Sequence, residues 1–100
     1  MTVRNLFLES EGGGHVAGIL IEALDGAWPT AHEGGFPLLQ GLDPHGNTVF
    51  NRLQAFGLEE ELSRLRGSVS FGQRATIDAA IDLVHRCQRG GKLYLRFEGV

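Results

Sequence analysis

The segment Lys92 to Glu98 alternates without a break: Leu93, Leu95 and Phe97 fall on one side, Lys92, Tyr94, Arg96 and Glu98 on the other. A β-strand, whose side chains repeat every two residues, turns that pattern into one buried and one wet face. Such a strand needs a sheet that is covered on one side only, so the rest of the chain must supply both partner strands and a cover.

Partner strands are readable near the start. Val3 to Glu9 carries Val3, Leu6, Phe7 and Leu8, too apolar for a free edge. Glu11-Gly12-Gly13-Gly14 follows, then the apolar run His15 to Leu24, rich in Val and Ile. Two strands around a short Gly-rich connection predict a β-hairpin. Gly18 inside the second strand predicts a bulge or a close approach of another group.

The cover is helical. Ser70 and Gln73 have the spacing of a capping box, in which each side chain satisfies an orphan amide. Ile77, Ala80, Ile81, Val84 and Cys87 then form one apolar stripe, with Asp82 and Arg86 spaced to pair on the wet side. An earlier helix is signalled from Ala55 by Leu58, Leu62 and Leu65, with Glu59, Glu60 and Glu61 near its start, Arg64 and Arg66 near its end, and Gly67 closing it. Thr48 to Leu53 fits a helical face or a short strand equally well. The expected order is β-β-loop-α-α-β: an α+β chain with a small, mostly antiparallel sheet and two helices packed on one face. One hundred residues support one core, and residues 1–100 are expected to form a single domain.

Between Asp25 and Asn47 lie all three prolines (Pro29, Pro37, Pro44) and five glycines, so this stretch is an irregular connection. Loops this long are uncommon in compact domains and are usually functional or disordered. Trp28, Phe36, Leu38, Leu39 and Leu42 can anchor it against the core, and Asp43-Pro44-His45-Gly46 has the residues of a tight turn. Trp28, His32, Glu33, Phe36, Asp43 and His45 therefore form a candidate ligand or recognition group, set against the plainer reading of a lid that caps the core.

Nine basic against twelve acidic side chains give a net charge of −3, which argues against a duplex-binding module built on clustered Lys and Arg. Arg4, Lys92, Tyr94 and Arg96 make the candidate interaction face. A lone Tyr between cations resembles a small stacking platform for single-stranded nucleic acid, but Tyr and Arg are also favoured anchors for a protein partner or a second copy. Val16 to Ile21 is too short to span a bilayer and no secretory pattern is present, so a cytoplasmic location is expected, without membrane association. No chemistry-bearing motif emerges. His15, His32, His45 and His85 lack metal-ligand spacing, and Cys87 lies on the apolar stripe, where a thiolate is disfavoured. Gly12-Gly13-Gly14 lacks the spaced glycines and Lys of a phosphate loop, and the carboxylates are scattered. No catalytic residue, metal or cofactor is assigned.

The run Gly41-Leu42-Asp43-Pro44-His45-Gly46-Asn47-Thr48-Val49-Phe50-Asn51-Arg52-Leu53-Gln54 resembles a segment of small uncharacterised bacterial proteins, in which Asp-Pro-x-Gly-Asp-Thr-x-Phe-Asn precedes a helix. The ending Tyr94-Leu95-Arg96-Phe97-x-Gly99 is similar as well, while Asn47 replaces the Asp of that pattern. The resemblance covers about one fifth of the chain and implies a setting on mobile gene cassettes or beside toxin genes. It brings no established activity. The expected function is a non-enzymatic protein-interaction module, immunity- or antitoxin-like or self-associating. The alternative is a small-molecule-binding protein or minor enzyme with its site under the 25–47 loop.

Overall fold

Pairing of β4 (Leu93–Gly99) on both sides organises the computed structural model, which describes residues 3–30 and 33–100. The preceding elements are β1 (Val3–Ser10), β2 (His15–Leu20), α1 (Pro37–Gln40), β3 (Asn47–Phe50), α2 (Arg52–Arg66) and α3 (Phe71–Arg89), with a 3-10 turn at Glu22–Leu24. All four strands are antiparallel, in the order β2-β1-β4-β3. The fold is α+β, with α2 and α3 closing the face that carries Leu6, Leu8, Leu95 and Phe97, all essentially buried.

The β1–β2 hairpin turns on Gly12 and Gly13, both at φ 89°, where an L side chain would be strained. Its irregularity lies between Leu8 and Glu9, where the partner register skips from Ala17 to His15. Gly18 is instead a point of close approach: a Cβ there would meet the Phe7 ring at 2.7 Å. Both uses foreseen for a glycine in this strand thus occur, at different positions.

The stretch Thr48 to Leu53, which fitted helix or strand, divides between the two. Asn47–Phe50 is a fourth strand, paired to β4 through Val49 opposite Arg96 and Phe50 opposite Leu95. Its neighbour Asn51 then caps α2: the Asn51 side chain accepts from Gln54 N at 2.9 Å, and Gln54 Oε1 accepts from Asn51 N at 2.9 Å. This second capping box moves the helix start back from Ala55 to Arg52. Glu59, Glu60 and Glu61 therefore lie in mid-helix and do not serve the N-terminal dipole.

Helix α3 begins at its predicted Ser70–Gln73 box. Ile77, Ala80, Val84 and Cys87 are buried as the spacing required, together with Leu83, while Ile81 packs at the core's margin. The two helices are pinned by polar contacts on their outer side: Arg66 donates to Asp78 at 2.7 and 3.2 Å, and Glu59 is held by His85 Nε2 at 2.7 Å and Gln88 Nε2 at 2.8 Å. No Asp82–Arg86 pair forms among the described residues. Among those residues, no helix is long and apolar enough to cross a membrane.

The long connection folds down as a cap. Trp28 is 7% exposed, Leu24 and Leu39 are fully buried, and Phe36 packs against the core's edge. Within it, α1 is held by one charged side chain. Glu61 of α2, 4% exposed, accepts from Leu38 N at 3.1 Å and Leu39 N at 3.0 Å, two amides at the start of α1 that have no partner inside their own helix. The turn that follows seats against β4, with Gly99 N donating to the Gly46 carbonyl at 2.7 Å. A Cβ on Gly99 would lie 2.5 Å from the Pro44 backbone, so the strand must carry glycine there.

Candidate functional site

Register places the open face of the sheet residue by residue, since directly paired residues point to the same side. One row runs Leu20, Asn5, Glu98, Asn47; the next Gly18, Phe7, Arg96, Val49; and a third carries His15, Glu9 and Tyr94. The alternation in β4 correctly put Tyr94 and Arg96 on this side. Leu20 and Val49, 63% and 56% exposed, stand at its two edges.

Arg96 is the hub of that face. Its Nε and Nη2 donate to Glu9 Oε1 and Oε2, both at 3.0 Å, and its Nη1 donates to Asn47 Oδ1 at 3.0 Å. Glu98 adds a contact at 3.5 Å. The guanidinium also lies 4.5 Å from the centroid of the Phe7 ring, which covers Gly18 and meets the His15 ring edge-on at 5.9 Å. Hydrogen bonds from Arg96 hold the Glu9 carboxyl below the usual carboxylate range, and Glu9 in turn raises the pKa of Arg96. The face is therefore a preorganised surface with apolar edges, its one cation, Arg96, set between two carboxylates.

Arg4 and Lys92 do not join it as a basic cluster. Arg4 is the extra residue where the β1–β4 register shifts between Val3 and Asn5, and its Nε donates to Glu22 at 2.8 Å. Lys92 precedes β4 at the opposite end of the sheet, 3.6 Å from Glu11. Each cation of the predicted face thus has a carboxylate within 4 Å, and the three do not gather into one basic cluster.

The five described members of the loop group are not gathered into one site. Trp28 and Glu33 line one cleft of about 500 Å³, together with Asp25, Ser68 and Gln73. Glu33 Oε1 is occupied locally, accepting from Thr30 N at 3.0 Å. Phe36 lies under the Arg64 guanidinium at 4.7 Å, and Arg64 donates to the Gly35 carbonyl. Asp43 closes its own turn by accepting from His45 N at 2.8 Å, while the His45 ring lies 3.3 Å from the Val100 carbonyl. His32 lies outside the described residues. The Trp28 Nε1–H is buried and has no acceptor among the described residues.

Sequence reasoning missed Phe7, Glu9, Leu20, Asn47 and Val49 as members of the open face. Alternation within β1 could have flagged Phe7 and Glu9, which are out of phase with Leu6 and Leu8. No family model matches the chain, and no curated protein or solved structure matches it.

Proposed function

We propose that this chain is a non-enzymatic protein-interaction module that binds a protein partner or a second copy through the open face of its sheet. One observation carries the reading: α2 and α3 cover one side of the sheet, while the other presents Leu20, Phe7, Val49 and Tyr94 around a rigid Arg96 centre. Tyr and Arg are favoured anchors at protein interfaces. An immunity- or antitoxin-like role, suggested by the resemblance to small bacterial proteins found beside toxin genes, is one concrete version. The test is native mass spectrometry of the untagged protein, alone and with candidate partners, beside the Leu20→Glu/Val49→Glu variant. Loss of self-association or partner binding at unchanged thermal stability is expected. Retained binding in a folded variant removes this face from consideration.

One observation favours a second reading, a small-molecule binder at the 25–47 loop. Trp28 lines the 500 Å³ cleft and its buried Nε1–H lacks an acceptor among the described residues, and buried donors are rarely left so. Against it stand the core packing of Trp28 and the local satisfaction of Glu33, Asp43 and His45. A monomer carrying a discrete added mass supports this reading over the first.

A further inference from the structure

Past Tyr94 the open face runs over into a groove of about 270 Å³ between the start of α2 and the turn leading into β4. Its walls include Leu53, Leu93 and Tyr94, its cations are Arg52 and Lys92, and no carboxylate lines it. Neither cation here is held in a hydrogen-bonded ion pair. Arg52 spends its Nε–H on the Gln88 carbonyl at 2.8 Å and makes no ion pair among the described residues. Lys92 is well exposed, and its 3.6 Å approach to Glu11 is too long for a hydrogen bond and open to screening by salt. Arg89, two residues before Gly91 of the groove, is exposed and likewise unpaired among the described residues.

Apolar surface accompanies this positive charge. Leu53 is 74% exposed, and Phe56, one turn on, is half exposed with Arg52 lying 6.0 Å from its ring. The sheet face alone spans roughly 400 Å² in projection, taking four strands at about 4.8 Å spacing and six residues at about 3.4 Å. A stable interface takes about 800 Å² from each partner, so an occupant of the face must reach over its rim. The groove adjoins that rim at Tyr94.

We propose that this groove receives an acidic peptide segment of the partner protein, with carboxylates beside a large apolar side chain. The carboxylates meet Arg52 and Lys92 while the apolar group covers Leu53 and Leu93. A nucleic-acid strand fits less well, because the two cations form no stripe to track a backbone and phosphate would leave the leucines uncovered. The inference rests on the protein-interaction reading above and adds the partner's chemistry.

The probe is a fluorescein-labelled Glu-Leu-Glu-Phe-Glu peptide, followed by anisotropy, with Lys-Leu-Lys-Phe-Lys and an oligothymidine of equal length as controls. The acidic peptide is expected to bind the whole protein, with affinity falling as salt rises and about tenfold weaker for Arg52→Glu/Lys92→Glu. Glu at the first position of α2 suits the positive end of the helix, so that variant keeps its fold, and Arg52→Gln/Lys92→Gln provides a milder check. Amide shifts in a 15N correlation spectrum are expected to centre on Arg52, Leu53, Lys92 and Tyr94. Equal binding of either control, unchanged affinity in both variants, or shifts centred on Gly18 and Leu20 overturns the proposal. No binding of the acidic peptide, with native self-association or partner binding still abolished by Leu20→Glu/Val49→Glu, overturns the groove alone and leaves the sheet-face reading standing.

Discussion

Arg96 and Glu9, 87 residues apart in sequence, meet in a two-point bridge across the centre of the sheet, each contact 3.0 Å long. Both side chains are mostly shielded from water by their neighbours, so this pair differs from the exposed bridges at Arg4–Glu22 and Lys92–Glu11. Charge-assisted bonds of this geometry hold strands in register as well as contributing energy.

Replacing Arg96 by Met removes donors to Glu9 and Asn47 and leaves a part-buried carboxylate without its cation. A loss of about 2–3 kcal/mol is expected, read as a lower urea midpoint at constant m-value. Glu9→Gln, which keeps acceptor and shape, should cost about half as much. An equal midpoint for wild type and Arg96→Met contradicts this role. Arg96 is consequently a poor probe of binding, and Tyr94→Ala is the cleaner one.

Acid should weaken the fold in a defined window. Glu9 is held below its ordinary pKa first by its hydrogen bond to Arg96, Glu59 by Gln88 and then His85, and Asp78 by Arg66. A carboxyl with a depressed folded pKa gives stability that is present above its unfolded pKa and is lost as pH falls through the folded one. Thermal midpoints should therefore hold from neutral pH to about 5 and fall below about 4, where unfolded carboxyls titrate. The fall should be shallower in Glu9→Gln. An identical slope in that variant excludes Glu9 as a contributor.

Glu61 ties the cap to the helices. Glu61→Leu strands the Leu38 and Leu39 amides in a buried setting, at an expected cost of about 2–3 kcal/mol, while Glu61→Gln retains one acceptor oxygen and loses less. Limited proteolysis should then cut the leucine variant first within the 25–47 segment. Cutting first at the α2–α3 connection speaks against the tie.

Burial pushes the Cys87 thiol up in pKa, and its S–H faces the Leu93 carbonyl at 3.4 Å. Native protein should leave an aromatic disulfide reagent unreacted over minutes and release one equivalent of chromophore on denaturation. Prompt reaction in the native state means the core there opens locally.

The parts of the fold legible in the sequence were those whose signal is local. Period-two alternation in Lys92–Glu98 and the Ser70–Gln73 box depend on residues a few positions apart, and both elements formed where expected. Strand β3 was ambiguous because Thr48-Val49-Phe50 has no local reason to extend; β4 supplies that reason through pairing. The Asn51–Gln54 box was overlooked because the leucine spacing that announces α2 begins only at Leu58. Glu61, one of three consecutive glutamates, reads as solvated surface until α1 is laid beside it. At the candidate site, alternation exposed Tyr94 and Arg96 but could not pair Arg96 with Glu9, since register between distant strands is a tertiary property.

The order β2-β1-β4-β3 also dictates how the sheet can be assembled in time. Strands β1 and β3 share no border except through β4, which follows both helices in the chain. A polypeptide halted before Leu93 holds a hairpin on one side and a four-residue strand on the other, with nothing to bridge them. Closure must then span contacts as remote as Val3 with Gly99, where the loop-entropy cost comes before the reward. Until β4 slots in, the ladder edge of β1 is unprotected, and that interval is when this chain is most open to pairing with a neighbour of its own kind.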